Sequence, residues 1–143
     1  MSEYLADEKE QQTVMLVLGS ILQEARAAPD GCSVFGQLLG EKVAEEAVSS
    51  GVFARVETAE AFTTAFFSAV FPWYFHFSPL PVLDPKTHKA TVPLSPPGVA
   101  VCDKSDFIKM VHQMFLTVSE RVLGCALKAA LSGDGLVVFV GKG

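Results

Sequence analysis

From Ala61 to Leu83 the chain has no Asp, Glu, Lys or Arg, and Phe62, Phe66, Phe67, Phe71, Trp73, Tyr74, Phe75 and Phe77 crowd into that stretch. A segment this apolar ends in a bilayer, in a core, or under something that covers it. Pro72, Pro79 and Pro81 argue against the bilayer, because they break the continuous helix that a span requires. His76 adds a polar group to the same stretch. A soluble fold must therefore absorb these rings.

The rest of the chain supports that reading. Its 143 residues are one domain's worth, 50% of them hydrophobic and 19% charged. An ordinary domain has about 25% charged residues, so this one folds with apolar surface left to cover, against a partner or around a ligand. The net charge is −5 and no run of Lys or Arg occurs, which leaves no footprint for nucleic acid or an anionic membrane. Cys32, Cys102 and Cys125 form no C-x-x-C pair and are odd in number, as free thiols in a reducing compartment would be. The acidic N-terminus lacks the basic and apolar regions of a signal peptide. Residues 1–12 are expected to be a flexible acidic lead, and residues 13–143 a single domain.

Helical spacing predicts three N-terminal helices. Val14, Val17, Leu18, Ile21, Leu22 and Ala25 line the first, over Thr13 to Ala27, which Pro29, Asp30 and Gly31 end. Ser33 is the expected cap of a second, with Phe35, Leu38, Leu39, Val43 and Ala47 on one side and Glu41, Lys42, Glu45 and Glu46 in water. A third runs from Glu57 or Thr58 to Phe71, stopped by Pro72. Short strands follow at Trp73–Phe77, Ala90–Leu94 and Val99–Val101, with a turn at Asp84–Thr87 and Pro93 marking an edge strand or the start of a new segment. Asp103 or Ser105 caps the longest helix, which keeps its period through Val122, Cys125, Ala126 and Ala129 to Leu131. After a turn at Ser132–Gly135, the apolar run Leu136–Val140 reads as a strand covered on both faces. The predicted class is α+β and mostly helical, with a small antiparallel sheet, one long C-terminal helix and a last strand.

No catalytic or metal constellation emerges. His76, His88 and His112 lie in separate segments, none with a Cys, His, Asp or Glu at ligand spacing. Cys125 and His112 are too far apart along one straight helix to act together, and Cys32 reads as a small buried thiol. An enzyme built on Cys32 or His112 would need a second titratable group in a cleft. The glycines match no phosphate-binding loop. The adjacent Phe66 and Phe67 point about 100° apart on a helix, which widens the apolar face beyond one seam and suggests a second packing surface.

Gly36, Gln37, Leu38, Leu39, Gly40, Glu41, Lys42, Val43, Ala44, Glu45 and Glu46 form a segment that resembles the second-helix signature of the Bet-three-like subunits of the transport protein particle (TRAPP). Two glycines four apart there precede a basic residue, an aliphatic one and an acidic pair. Val56 to Glu60, the aromatic helix, and Phe77, Ser78 and Pro79 are similar to the family's third helix and its exit. Ser105 to Ile108, with Leu131 to Val138, are similar to its last helix, turn and strand. The likeness spans about Thr13 to Val140.

The resemblance implies a non-catalytic subunit that homo- or heterodimerises with related subunits through its helices. It further implies a cytoplasmic, peripherally membrane-associated complex at the cis-Golgi and ER that tethers vesicles and promotes nucleotide exchange on a Rab-family GTPase. Phe35, Leu38, Leu39, Val43, Phe62 and Phe66 are the expected interface, and Gly36 and Gly40 the expected point of close helix packing. The family's principal member has a cysteine before the third helix whose acyl chain fills an internal tunnel. Here Val52, Phe53, Ala54 and Arg55 stand in that place, so no cofactor is expected and acylation there is disfavoured. The family's glycine pair in the last helix is also replaced, by Phe115 to Glu120. The alternative function is a fatty-acyl or hydrophobic-ligand carrier or sensor of the same fold, with a pocket at Phe53, Phe67, Val70 and Phe71.

Overall fold

The computed structural model describes residues 2–94, 103–125 and 127–140, with side chains from residue 9 onward. The fold is mixed α+β: α1 (Ser2–Ala25), α2 (Gly31–Ser50), α3 (Ala59–Ala65), a π-helical turn (Phe66–Val70), α4 (Phe71–Phe75), β1 (Val82–Asp84), β2 (Lys89–Pro93), α5 (Lys104–Leu123), β3 (Ala129–Leu131) and β4 (Gly135–Phe139). The strands form one antiparallel sheet in the order β1-β2-β4-β3. The expected strand Val99–Val101, with Cys102 and Ala126, lies outside the described residues.

α1 begins at Ser2 rather than Thr13, so the acidic segment read as a separate lead forms its first turns. Glu, Gln, Lys and Ala are strong helix formers, and carboxylates near an N-terminus favour the helix dipole. α2 begins at Gly31, ahead of the expected Ser33 cap. Asp30 takes a left-handed conformation (φ 54°) and makes no side-chain cap bond. Thr58, one of the two expected starting points of the third helix, caps α3, accepting from the Ala61 N–H at 3.1 Å. Asp103 caps α5, accepting from the Asp106 N–H at 3.0 Å.

Pro72 does not stop the third helix, and of the strand expected at Trp73–Phe77, Trp73–Phe75 are helix α4 and His76 and Phe77 follow its end. The reason is the π turn, in which the Phe71 N–H bonds to the Phe66 carbonyl. At about 100° per residue an unbroken α-helix would carry Phe75 roughly 180° away from Phe66. The wider turn resets the phase, returning Phe71 and Phe75 to the buried side, and Pro72 sits in the first turn of the resumed helix.

α5 ends at Leu123, not Leu131, because Gly124 adopts φ 81° and its N–H closes on Glu120. Ala129–Leu131, expected as helix, is instead the edge strand β3. Pro93 ends a central strand rather than an edge one. It faces the β1 side beyond the last β1–β2 pair, Val82 with Thr91, so its missing N–H costs no ladder bond. β4 is covered on one face only. Leu136 and Val138 are buried, whereas Val137 is half-buried and Phe139 is 43% exposed.

α2 packs most extensively on α5, and two glycines set the spacing. A Cβ at Gly36 would come within 2.2 Å of the Met110 carbonyl oxygen, and one at Gly40 within 2.9 Å of the Thr117 Cβ. The helices are therefore nearly in backbone contact, over a core of Phe107, Met110, Val111, Met114, Phe115 and Val118.

Candidate interaction surfaces

The aromatic block is spent inside the domain. Phe62, Phe66, Phe67 and Phe71 are fully buried. Their rings touch one another and α5: Phe66 to Phe67 is 4.9 Å between centroids, Phe67 to Phe115 is 5.5 Å and Phe71 to Phe75 is 4.5 Å. Phe53 stacks on Phe62 at 5.1 Å. The four residues expected to wall a pocket, Phe53, Phe67, Val70 and Phe71, are thus core.

The expected interface divides. Val43, Phe62 and Phe66 are buried and meet no partner in this fold. Phe35 and Leu39 are partly buried at the flank of α2, while Leu38 is 59% exposed. The α2 face that spacing assigned to the core is displaced by the glycines: Cys32, Gly36, Gly40, Val43, Ala44 and Ala47 form the buried side. On the helices the aliphatic residues left in solvent are Leu16, Val17 and Ile21 on α1 and Val34, Leu38 and Val48 on α2, while Leu80, Val82, Leu83 and Leu131 are exposed on and beside the sheet. Trp73, the one aromatic of the central block left largely in solvent, is 48% exposed in the middle of α4.

Polar side chains are locally satisfied. The Arg26 guanidinium lies 2.6 Å from the buried Asp106 carboxylate, tying the end of α1 to the start of α5. Cys32 sits beside this pair with its thiol 3.5 Å from the Leu22 carbonyl. Burial, and then the neighbouring Asp106, push that thiol's pKa up, away from a reactive thiolate. The Tyr74 hydroxyl donates to Glu46 at 2.6 Å. Burial and this carboxylate push its pKa up to about 12. His112 Nε2 donates to the Ala129 carbonyl at 2.9 Å. Among the described residues no three His, Cys, Asp or Glu side chains converge where a metal ion would be held, and no helix is long and apolar enough to cross a membrane.

Each edge of the sheet is partly blocked against strand addition. The His88 carbonyl accepts from Val140 and the Leu94 N–H donates to Asp134, so even-numbered positions of β2 face β4 and odd ones face β1. Lys89 and Thr91 pair with Asp84 and Val82. The outward positions of the β1 edge are therefore Pro81, Leu83 and Pro85, and the two prolines have no N–H to offer. On the other edge, Phe139 bonds to Lys128 and Ser132 to Gly135, which turns Leu127, Ala129 and Leu131 outward. α5 caps two of these: Ser119 Oγ accepts from the Leu127 N–H at 3.1 Å, and His112 donates to the Ala129 carbonyl. Sequence reasoning missed both caps, because outward and inward positions follow from register.

No family model, no curated protein and no solved structure matches the chain.

Proposed function

We propose that the chain is a non-catalytic subunit of a TRAPP-like vesicle-tethering complex. In this reading it pairs with a related subunit through the outer faces of α1 and α2, works at cytoplasmic ER and Golgi membranes without entering them, and contributes through the assembled complex to exchange on a Rab-family GTPase. One observation carries the pairing: with the aromatic block consumed by the core, Val17 and Ile21 on α1 and Val34 and Leu38 on α2 still stand in solvent, each at i and i+4 on its helix. The order of motifs along the chain supports the kind of assembly.

Leu38 is the better probe than Leu39, being 59% exposed where Leu39 packs partly on the core. The double variant Val34→Glu/Leu38→Glu should fold normally and lose its co-purifying subunits when the tagged protein is isolated from its own cells. Recovery of the same subunits at wild-type stoichiometry would overturn the pairing surface, and co-purification of chains with no part in trafficking would overturn the proposed complex.

A further inference from the structure

The sheet has a second, independent surface. Its inner side chains, Ala90, Val92, Leu136 and Val138, are buried. The outer face carries Val82, Thr91, Val137 and Ala130 in one row across the strands, with Val82 64% exposed. The next row runs Asp84, Lys89, Phe139 and Lys128, and the Lys89 ammonium lies 5.1 Å from the centre of the Phe139 ring. Lys86 stands in the adjoining turn. In a chain of net charge −5 this end of the sheet reverses the sign: Lys86, Lys89 and Lys128 enter none of the ion pairs among the described residues. The one carboxylate among them, Asp84, accepts the Lys86 N–H at 2.9 Å, and its pKa is lowered chiefly by that bond.

We propose that this outer face docks a partner protein's amphipathic helix whose apolar stripe lies over Val82, Thr91 and Val137 and whose carboxylates meet Lys86, Lys89 and Lys128. The partly blocked edges leave an extended segment few main-chain bonds, so an occupant held chiefly by its side chains is favoured. From β1 to β3 the sheet is about 14 Å wide at roughly 4.8 Å per strand, which suits one helix of about 10 Å diameter. A bilayer is disfavoured, since three lysines set around a carboxylate present a discrete pattern and not a polybasic surface. The helix dipole adds to the match if the C-terminal end of the partner helix lies over the lysines.

The proposal does not depend on the α1–α2 pairing. It is tested by fluorescence anisotropy of the full chain with two labelled helical peptides sharing one leucine face, one ending in three glutamates and the other in three lysines, alongside phosphatidylserine vesicles. The acidic peptide should bind at least tenfold more tightly than the basic one, and more weakly as salt rises. Lys86→Glu/Lys128→Glu, at two exposed positions, should abolish or reverse the preference, and Leu38→Glu should leave it intact. Equal binding of both peptides, no binding of either, binding unchanged in the lysine variant, or binding to vesicles alone would each overturn it.

Discussion

Replacing Gly36 with alanine should destabilise the domain even though alanine is the better helix former. The added Cβ would lie 2.2 Å from the Met110 carbonyl oxygen, 2.9 Å from its carbon and 3.0 Å from its Cα. Ordinary contact begins at 3.4 Å, so α2 and α5 must separate by about 1 Å, and backbone atoms offer no rotamer by which to yield. Overpacking of a fitted core costs up to about 3 kcal/mol, against which the propensity gain of Gly to Ala returns about 1 kcal/mol. The net loss is about 2 kcal/mol, or roughly 6 °C in Tm for a chain of this size. At Gly40 the nearest atoms are the Thr117 Cβ at 2.9 Å and the Met114 Cα and carbonyl oxygen at 3.1 Å, a less severe approach than at Gly36 but again to atoms that cannot rotate away. The cost there is smaller, without being cancelled by the propensity gain. Urea and thermal unfolding followed by circular dichroism should place Gly40→Ala below wild type and Gly36→Ala lower still. A Gly36→Ala protein at or above wild-type stability would refute the helix separation on which the argument rests.

Four further outcomes follow. Tyr74 has a folded pKa of about 12, above the ordinary phenol value near 10, so its contribution is fully present below pH 10 and is lost as pH rises towards 12; Tyr74→Phe should flatten that alkaline loss in unfolding curves, and an unchanged slope would refute the assignment. Phe53→Ala should cost about 3–5 kcal/mol by opening a hole beside Phe62, and native mass spectrometry of the freshly purified wild type should show no lipid-sized adduct; a retained adduct would restore the carrier reading. His112→Phe keeps a ring but cannot donate to Ala129, so it should produce concentration-dependent association by light scattering through the exposed β3 edge; a strictly monomer-like variant from a monomeric parent would show that the cap is dispensable. Arg26→Ala should lower Tm and do so more than Lys104→Ala, because Arg26 faces a buried carboxylate whereas the partner of Lys104, Asp134, is exposed; the reverse order would refute it.

The sequence made the class of fold legible because its strongest signals are local. Thr58 and Asp103 cap through their own side chains, and the turn at Asp84–Thr87 is held by the Asp84 side chain bonding to the Lys86 N–H. What it hid depends on phase and register. Pro72 reads as a stop until the π turn shifts the helix by a residue, after which the same proline is an ordinary first-turn residue and the next three residues belong to a helix. Phe35, Leu38 and Leu39 read as the buried stripe of α2 because apolar periodicity weighs side chains. Here the closest approach is made where side chains are missing, at Gly36 and Gly40, which turns Leu38 into solvent.

The surface followed from the same substitution of roles. The phenylalanines of the uncharged block that looked like surplus are core, and Val17, Ile21 and Leu38, which spacing had assigned to apolar helix faces, are exposed instead. The sheet edges are partly blocked by residues with no sequence signature of that duty: two prolines that fall on outward positions by parity, and a histidine and a serine on α5 that reach strand backbone. With its edges partly blocked in this way, the chain keeps two exposed side-chain surfaces, the outer face of α1 and α2 and the outer face of the sheet, which are the ones proposed above for recognition. Their chemistries differ, one aliphatic and one basic with a single phenylalanine, so the two faces are suited to different partners at the same time.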